Sequence, residues 1–464
     1  MGLGVLAVSI QLEIQRRRFK VPYSANADRS HIVKKLLLLL LANLAPVLSP
    51  ADDFRVSSLA SNGTLTLSNA FTNGVITVER ASNPAGPWAP EKNYFSVCSV
   101  TQVNVGLSGA AGFFRPLAGD ISGTAGFTNL TESYGLLTTI AGTGAVICEN
   151  CPNNWDPSAE GGPATNATLS SPHIAMADRA GNVYIADKDA QAIRKITLDG
   201  NIHTVAGTGA KGLGTTNPAR ATAVDLNNPN GLFVQLDGTF YILDRDNGFI
   251  RKVDTNGNMT LTVDNGGIIF GGRGLWVSPD ASVLYYASGP TIKTGQVMIW
   301  DSTNGLSIFA SGFGELGNLT VDPGGHLVIT LRLGYKVIRF EADGTQTVIA
   351  GNGNPGQGGG DGQLATATGL NEVRAIAFLP NGAFFLGTDS GSQMWYVDTD
   401  GYIHLWLNGA SFAYAGDGEW FFKDPATPKV NHVRGITMDY EGNLLIAESL
   451  SSYIRKIGFS RLQP

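Results

Sequence analysis

One stretch of sequence recurs along most of the chain. From Pro172 to Gly207 it contains four short apolar runs, rich in Val, Ile and Tyr, which Gly, Asn and Asp separate. Runs of this length between turn residues are typical of antiparallel β-strands, and the pair Asp199-Gly200 favours a tight hairpin. The stretch therefore predicts a four-stranded antiparallel meander.

The spacing of the copies predicts how these meanders assemble. A turn residue precedes the second apolar run of each copy, at Gly181, Gly238, Asp280-Ala281, Gly325, Gly382 and Gly442. Repetition at these intervals indicates a propeller or a solenoid, and the internal period of four strands favours the propeller. We therefore expect an all-β protein.

Motifs within the copies resemble the NHL repeat. Its pattern Asp-x-x-Gly-Asn-φ-Tyr-φ-Ala-Asp, where φ is apolar, is followed by φ-Arg-Lys-φ, and the best copies are 172–207, 229–263 and 433–457. The resemblance covers roughly residues 136 to 464. It implies a six-bladed β-propeller and says little about chemistry, because one propeller scaffold supports many unrelated functions.

The number of apolar runs is consistent with six blades. Five copies are complete, whereas the sixth supplies only three runs before Pro464. Leu136–Gly142 matches the fourth run of the repeat, Ile202–Gly207. We therefore expect it to complete the last blade, which closes the ring and removes an unpaired sheet edge.

Three parts precede the propeller, which we place at 136–464. Residues 1–51 include a segment at 34–51 with two lysines, a leucine run and the small residues Ser49 and Ala51, an order typical of a secretory signal peptide; an uncleaved anchor is the alternative. Residues 52–117 predict a small β-sandwich-like module with Asn-Gly turns. Residues 118–135, rich in Gly, Thr and Ser, predict a linker. We expect a protein secreted to the periplasm or the extracellular space.

Charge and motifs limit the classes of function. The net charge of −6 argues against a nucleic-acid surface, which requires a basic face. Gly207, Gly209 and Gly212 match the spacing of a dinucleotide fingerprint, but the residues after them, 213–218, cannot form the helix that this site requires. Metalloprotease and serine-hydrolase motifs are absent from the sequence. We predict no cofactor and no metal.

The chain has three cysteines. Cys148 and Cys151 lie in the first long loop, and no second pair exists to complete a zinc site. We expect these two to form a local disulfide in an exported protein. Cys98, alone in the small module, is expected to be buried.

An acidic residue follows the second run in four copies: Asp187, Asp244, Asp389 and Glu448. Because these positions recur with the repeat, we expect their side chains to accept backbone hydrogen bonds in the loop that follows. Binding of a metal ion is the alternative.

Alignment of the first runs predicts a polar opening to the central channel. The residues in register before each run are His173, Asn230, Arg273, Gly317, Arg374 and Arg434. Long glycine-rich inter-blade loops should lie on the same face. Guanidinium groups suit bidentate capture of carboxylate or phosphate, which predicts an anionic ligand or an acidic partner segment. Alternatively, loop carboxylates such as Asp389 or Glu372 neutralise these arginines.

Two classes of function follow. The first is a secreted, monomeric propeller without a stable membrane span, which presents the loop-rimmed face to a protein, a glycan or a small anionic ligand. The second is a lactonase- or lyase-type enzyme with a metal over the channel. That site needs several His, Asp, Glu or Asn side chains at the axis, and only His173, Asn230 and Asn318 are of these types. The sequence therefore favours binding.

Overall fold

A computed structural model describes residues 54–105, 112–145, 153–271, 273–291, 293–356 and 361–461. Within these ranges the chain forms six antiparallel sheets of four or five strands and two three-stranded sheets. This confirms the predicted all-β class. None of the helices in these ranges combines the length and the apolar run that crossing a bilayer would require.

The N-terminal module is a small sandwich. Its strands are β1 (Arg55–Leu59), β2 (Thr64–Ser68), β3 (Gly74–Ala81), β4 (Ala89–Ser96), β5 (Val100–Asn104) and β6 (Phe113–Asp120). One sheet has the order β1-β2-β5 and the other β4-β3-β6. Leu65, Leu67, Ile76, Val78 and Phe114 are buried between them. This agrees with the sandwich predicted for this part of the chain.

The segment predicted to be a linker is structured. Residues 118–120 belong to β6, and helix α1 (Phe127–Ser133) follows a 3-10 turn at Thr124–Gly126. Tyr134, just after α1, is fully buried, and its hydroxyl donates to the carbonyl of Gly442 at 2.9 Å. The Gly, Thr and Ser content of the segment did not predict this helix. Its apolar side is buried against the propeller, and composition does not indicate such burial.

Six blades follow, and each has its strands in antiparallel order. Blade 6 begins with β7 (Leu136–Ala141), which is its outer strand. Blade 1 contains β8 (Pro172–Ala177), β9 (Val183–Asp187), β10 (Ala192–Ile196) and β11 (Ile202–Ala206). Blade 2 contains β12 (Ala219–Arg220), β13 (Pro229–Val234), β14 (Phe240–Asp244), β15 (Phe249–Val253) and β16 (Asn258–Asp264). Blade 3 contains β17 (Leu275–Val277), β18 (Val283–Thr291), β19 (Thr294–Asp301) and β20 (Gly305–Phe313).

The remaining blades complete the ring. Blade 4 contains β21 (Leu316–Val321), β22 (Leu327–Leu331), β23 (Lys336–Phe340) and β24 (Gln346–Ala350). Blade 5 contains β25 (Gln363–Leu364), β26 (Val373–Phe378), β27 (Phe384–Thr388), β28 (Met394–Val397) and β29 (Tyr402–Leu407). Blade 6 ends with β30 (Glu419–Trp420), β31 (Val433–Met438), β32 (Leu444–Glu448) and β33 (Tyr453–Ile457). Short 3-10 turns lie at Pro157–Ala159, Ala164–Asn166, Lys188–Ala190, Ala221–Ala223, Arg245–Asn247 and Ala365–Ala367.

The first strands of the blades surround the central axis. Each contacts its neighbours in the order β8, β13, β17, β21, β26, β31, and β31 contacts β8 again. β7 pairs antiparallel with β33, with Leu137 opposite Ile457 and Thr138 opposite Lys456. The N-terminal strand therefore closes the ring, as predicted, and pairs what would otherwise be a free edge of blade 6.

Four of the blades carry a cover on their outermost strand. β12 pairs with β16, β25 with β29, and β30 with β7, while Pro163 bridges to Asn201 beside β11. Each cover comes from the long loop that precedes its blade. Part of each long loop thus lies along the outside of the propeller. In the described ranges, β20 of blade 3 and β24 of blade 4 are outermost strands that no further strand covers.

Candidate functional site

The residues aligned before the first strands converge at one end of the channel. We call His173, Asn230, Arg273, Gly317, Arg374 and Arg434 the channel mouth. Arg273 Nε donates to His173 Nδ1 at 3.1 Å, although blade 2 separates their blades. His173 also hydrogen-bonds with Asn230. These contacts bring His173, Asn230 and Arg273 together at one end of the channel.

Two arginines of the mouth share one carboxylate. Asp389 Oδ2 lies 2.5 Å from Arg374 Nε, and Asp389 Oδ1 lies 2.9 Å from Arg434 Nε. His432 Nδ1 lies 3.0 Å from the same Oδ1. Burial alone would raise the pKa of Asp389, but the His432 hydrogen bond and the two guanidiniums outweigh it and hold that pKa well below its usual range. Asp389 is therefore ionised.

A second group of ion pairs, centred on Arg332, lies beside the first. Arg332 Nη1 is 2.9 Å from Glu315, and Arg332 Nη2 is 2.9 Å from Glu372. Burial raises the pKa of Glu315, and Arg332 opposes that rise. Of the two carboxylates proposed to neutralise the mouth, Asp389 contacts Arg374 and Arg434, whereas the ion pair of Glu372 is with Arg332.

His173 reports the charge at the mouth. It is fully buried, and burial is the main reason that its pKa falls well below the usual value. The charges of Arg434, Lys188 and Arg374 lower the pKa further, because a second positive charge among these cations is unfavourable. The imidazole is therefore neutral at physiological pH and accepts the hydrogen bond from Arg273.

The backbone before five of the six first strands is left-handed. Ser171, Asn228, Glu372 and His432, two residues before the mouth position, have φ of 62°, 55°, 49° and 45°. Glycine adopts this conformation freely, and Gly271 occupies the same place in blade 3 with φ of 67°. Left-handed non-glycine residues persist where the surroundings fix them. Ser392 Oγ, for example, accepts from the backbone N–H of His432 at 3.2 Å.

Blade 4 contributes no side chain to the mouth, because its residue at this position is Gly317. A Cβ on this residue would lie 2.4 Å from Thr330 Oγ1 and 2.6 Å from the carbonyl oxygen of Val373. A side chain is therefore excluded by the neighbouring backbone. Two residues before Gly317 lies Glu315, which pairs with Arg332 of the same blade.

The acidic residues of the repeat differ from the prediction in two ways. Asp187, Asp244 and Glu448 do accept backbone hydrogen bonds, but from Ser170, Asn227 and Asn431, in the loops that precede the first strands. Asp389 is not their equivalent, since Thr388 pairs with Val373 as Asp187 pairs with Pro172. Asp389 lies one residue further on, and its contacts are with the mouth.

A buried arginine of the third strand pairs with each repeat acid. Arg251 Nε is 2.8 Å from Asp244 Oδ2, Arg194 Nε is 3.4 Å from Asp187 Oδ2, and Arg455 Nη1 is 3.6 Å from Glu448 Oε1. Burial raises the pKa of Asp187 to about 6 and lowers the pKa of Arg194. Because burial disfavours both charged forms, these pairs fix geometry more than they add stability.

The same arginines hold the long loops. Arg251 donates to the carbonyls of Leu213 and Thr215 at 2.6 and 2.7 Å. Arg194 lies over the Trp155 ring, 3.5 Å from its centroid, and Arg455 lies 4.7 Å from the centroid of Tyr414. Each loop therefore rests on the arginine of the blade that it precedes.

Two further clefts lie between blades at the opposite ends of the strands. One, of about 430 Å³, includes Tyr184, Lys195 and Phe240 between blades 1 and 2. The other, of about 590 Å³, includes Arg339, Phe378 and Phe384 between blades 4 and 5. Their linings occupy equivalent positions of the repeat, so we regard the clefts as gaps that the blade geometry creates.

The cysteine predictions had different outcomes. Cys148 and Cys151 lie outside the described residues, so their disulfide stays a prediction. Cys98 is exposed, and the prediction that it is buried was wrong. It lies between β4 and β5 at the edge of a sandwich too small to enclose this turn. In the described ranges, no group of three or more His, Cys, Asp or Glu side chains is placed to hold a metal ion.

Solved structures resemble this fold. No protein-family model and no curated protein matches the sequence. A protein of unknown function from Bacteroides thetaiotaomicron aligns with 89% of this chain and 99% of its own at 13% identity, with a TM-score of 0.54. An auxiliary nutrient binding protein from the same species covers 88% and 98% at 14% identity, with a TM-score of 0.52.

A third similar structure is an auxiliary nutrient binding protein from Bacteroides ovatus. It covers 85% of this chain and 93% of its own at 13% identity, with a TM-score of 0.50. These alignments extend beyond what residues from 136 onward can supply. The similarity therefore includes the β-propeller fold and part of the region before it.

Proposed function

We propose that this protein is an exported NHL-type propeller that binds an anionic ligand, bearing a carboxylate or a phosphate, at the channel mouth. The ligand would meet the guanidinium groups of Arg273, Arg374 and Arg434, with His173 and Asn230 as neutral hydrogen-bonding partners. Guanidinium groups bind such oxyanions through paired, charge-assisted hydrogen bonds.

The observation that carries this proposal is the position of Asp389. In blades 1, 2 and 6 the acidic residue lies at the end of the second strand and contacts a third-strand arginine. In blade 5 the acid follows one residue later and contacts two mouth arginines instead. The repeat does not need a carboxylate there, so its effect is to hold Arg374 and Arg434 in fixed orientations beside the channel. Such preorganisation favours binding because less side-chain entropy is lost.

Two further points support a binding role. Burial is the main cause of the lowered pKa of His173, and the neighbouring positive charges of Arg434, Lys188 and Arg374 lower it further in a chain of net charge −6. Two proteins with the same fold are auxiliary nutrient binding proteins. Export is supported by the lysines, leucine run and small residues at 34–51.

Isothermal titration with inorganic phosphate and with citrate, at matched ionic strength, tests the proposal. We expect the parent to bind one of these probes, and Arg273→Ala to weaken that binding about tenfold or more, since a charge-assisted hydrogen bond contributes about 1.5–3 kcal/mol. Arg273 is half-buried and tolerates the change better than its buried neighbours. Arg220→Ala, at an exposed arginine on β12, is the control and should bind as the parent does. Binding unaffected by Arg273→Ala, or no binding of either probe, would contradict the proposal.

A further inference from the structure

Arg332 and Asp389 occupy the same position in successive blades and carry opposite charges. Each lies one residue beyond the second strand of its blade, β22 or β27. Asp389 contacts two guanidinium groups of the channel mouth. Arg332 has the reverse arrangement, since its guanidinium lies between the carboxylates of Glu315 and Glu372. This end of the channel therefore presents groups of both charges on adjacent blades.

Glu315, Arg332 and Glu372, which we call the acidic triad, contain one more carboxylate than guanidinium. Arg332 Nη1 donates to both oxygens of Glu315 at 2.9 Å. Its Nε and Nη2 both donate to Oε2 of Glu372, at 3.1 and 2.9 Å. Among the residues that the structure describes, none donates to Oε1 of Glu372. That oxygen is an acceptor on a charged group, and its strongest partner is a cationic donor.

The acidic triad adjoins the mouth and reaches solvent. The side chains of Arg332, Glu372 and Glu315 are 24%, 18% and 14% exposed. The backbone N–H of Asp389 donates to the carbonyl of Glu372 at 3.0 Å. Burial is the main cause of the raised pKa of Glu315, and the negative charges of Glu372 and Asp389 raise it further. The triad and the ion pairs of Asp389 are therefore neighbours.

The repeat does not require carboxylates at these two places. Glu315 and Glu372 each lie two residues before a mouth position, Gly317 or Arg374. One carboxylate would be enough to balance Arg332, so the second adds a negative charge that the fold does not use. In the other four blades the equivalent residues are not acidic: Ser171, Asn228, Gly271 and His432.

We propose that the ligand of the channel mouth is an amino acid, whose carboxylate meets the mouth arginines and whose ammonium group meets Glu372. This inference rests on the proposed function, which supplies the site for the carboxylate. An ammonium group is a cation that carries only hydrogen-bond donors, so it matches the surplus carboxylate of the acidic triad. A ligand with negative charges alone is repelled by that carboxylate.

Isothermal titration with L-glutamate and with glutarate tests this inference. The two probes share one dicarboxylate skeleton, and glutamate adds only the ammonium group. At neutral pH and matched ionic strength, we expect the parent to bind glutamate about tenfold more tightly than glutarate, because one charge-assisted hydrogen bond is gained. If negative charge alone determined affinity, glutarate would bind at least as tightly as glutamate.

Glu372→Gln keeps the shape of the side chain and removes its charge. It should lower the affinity for glutamate to about that for glutarate, while glutarate binds as before or more tightly. Arg332 keeps its ion pair with Glu315, so circular dichroism and the melting temperature should show a folded protein. Glu419→Gln, at an exposed glutamate on β30 that pairs with Lys423, is the matched control and should leave both affinities unchanged.

The outcomes separate this inference from the proposed function. Glutamate that binds no more tightly than glutarate would overturn the amino-acid assignment, and so would a preference for glutamate that survives Glu372→Gln. In either case, binding of phosphate or citrate would leave the proposed function standing. No binding of glutamate, glutarate, phosphate or citrate would contradict the proposed function itself, and the amino-acid assignment with it.

Discussion

Blades 1, 2 and 6 each contain a buried acid–arginine pair that blades 3, 4 and 5 lack. The first three pair an acidic residue on the second strand with an arginine on the third, as in Asp244 and Arg251. At the same places blade 4 has Leu331 and Ile338, and blade 5 has Thr388 and Trp395. Both members are present or both are absent. This is expected if a buried charge is tolerated only beside its partner.

The two halves also use charge in different places. In blades 1, 2 and 6 the pair holds a long loop and a backbone N–H, both of which belong to the fold. In blades 4 and 5 the charged residues are Arg332 and Asp389, one residue beyond the strand end, and they contact mouth and loop residues. Because side chains alternate along a strand, a shift of one residue is enough to change what a side chain contacts. We infer that the buried acid–arginine pairs of blades 1, 2 and 6 maintain structure, whereas Asp389 contacts the arginines of the channel mouth.

Removal of β7 should have the largest effect, because it takes a strand away from blade 6, one of the three blades that contain an acid–arginine pair. A chain that begins at Thr143 leaves β33 without its partner strand, so we expect loss of cooperative unfolding in urea. A chain that begins at Ser122 keeps α1 and β7 and should still unfold cooperatively. Identical transitions for the two truncations would show that the closure adds nothing.

Replacement of one pair member should be the next largest effect. Arg251→Met leaves Asp244 buried without its arginine and should cost about 3–5 kcal/mol of unfolding free energy. Ile338→Met, the same position in blade 4, should cost less than about 1.5 kcal/mol. Urea denaturation measures both.

The paired change Asp244→Leu with Arg251→Ile sharpens the comparison, because it copies blade 4 into blade 2. It should be less damaging than Arg251→Met alone while making residues 207–228 more sensitive to protease, since Arg251 no longer holds the loop. A double variant less stable than Arg251→Met would refute the idea that blade 4 is a viable alternative.

A pH effect of intermediate size is expected from Glu448. Burial raises its pKa to about 7 in the folded protein, above the usual 4.5. The folded state therefore binds this proton more tightly, so the group's contribution is complete below pH 4.5 and is lost as pH rises through 7. The stability of the parent relative to Glu448→Gln should fall over this range by up to about 1.4 kcal/mol per pH unit. Parallel curves for the two proteins would mean that Glu448 does not titrate in this way.

The smallest effect should come from the aromatic contact of a loop with its arginine. Trp155→Ala removes the ring over Arg194 and should cost about 1 kcal/mol, as cation–π contacts do at partly exposed sites. Phe412→Ala, at a 67% exposed ring in another long loop, is the control and should change little. Thermal unfolding distinguishes the two.

Much of this architecture could be predicted from the sequence. Turn glycines and apolar runs predicted six blades. The closure was predicted because the last copy of the repeat lacks its fourth run and 136–142 matches that run. Alignment of the first runs also placed His173 and the three mouth arginines at one opening. These inferences used local pattern and period, which a single sequence contains.

Other features depended on packing that the pattern does not contain. Helix α1 was missed because its apolar residues are buried against distant blades, and Asp389 was aligned one residue out of register. Arg332 and Glu315 were not considered. The alignment that identified the mouth places Arg332 one residue after a second strand and Glu315 two residues before a mouth position. The covers on the outer strands were missed because two-residue strands leave no periodic signal.

The most direct test of the division between structural and functional charge compares two arginine-to-lysine changes by titration with phosphate and citrate. Arg374→Lys keeps the charge beside Asp389 but removes the fork that binds an oxyanion, whereas Arg251→Lys makes the same change at a structural pair. Both variants are measured at a temperature where circular dichroism shows them folded. We predict that Arg374→Lys binds the parent's probe at least several-fold more weakly than the parent does. Arg251→Lys should bind it with the same affinity as the parent. Equal affinities for Arg374→Lys and the parent would contradict a ligand site at the channel mouth.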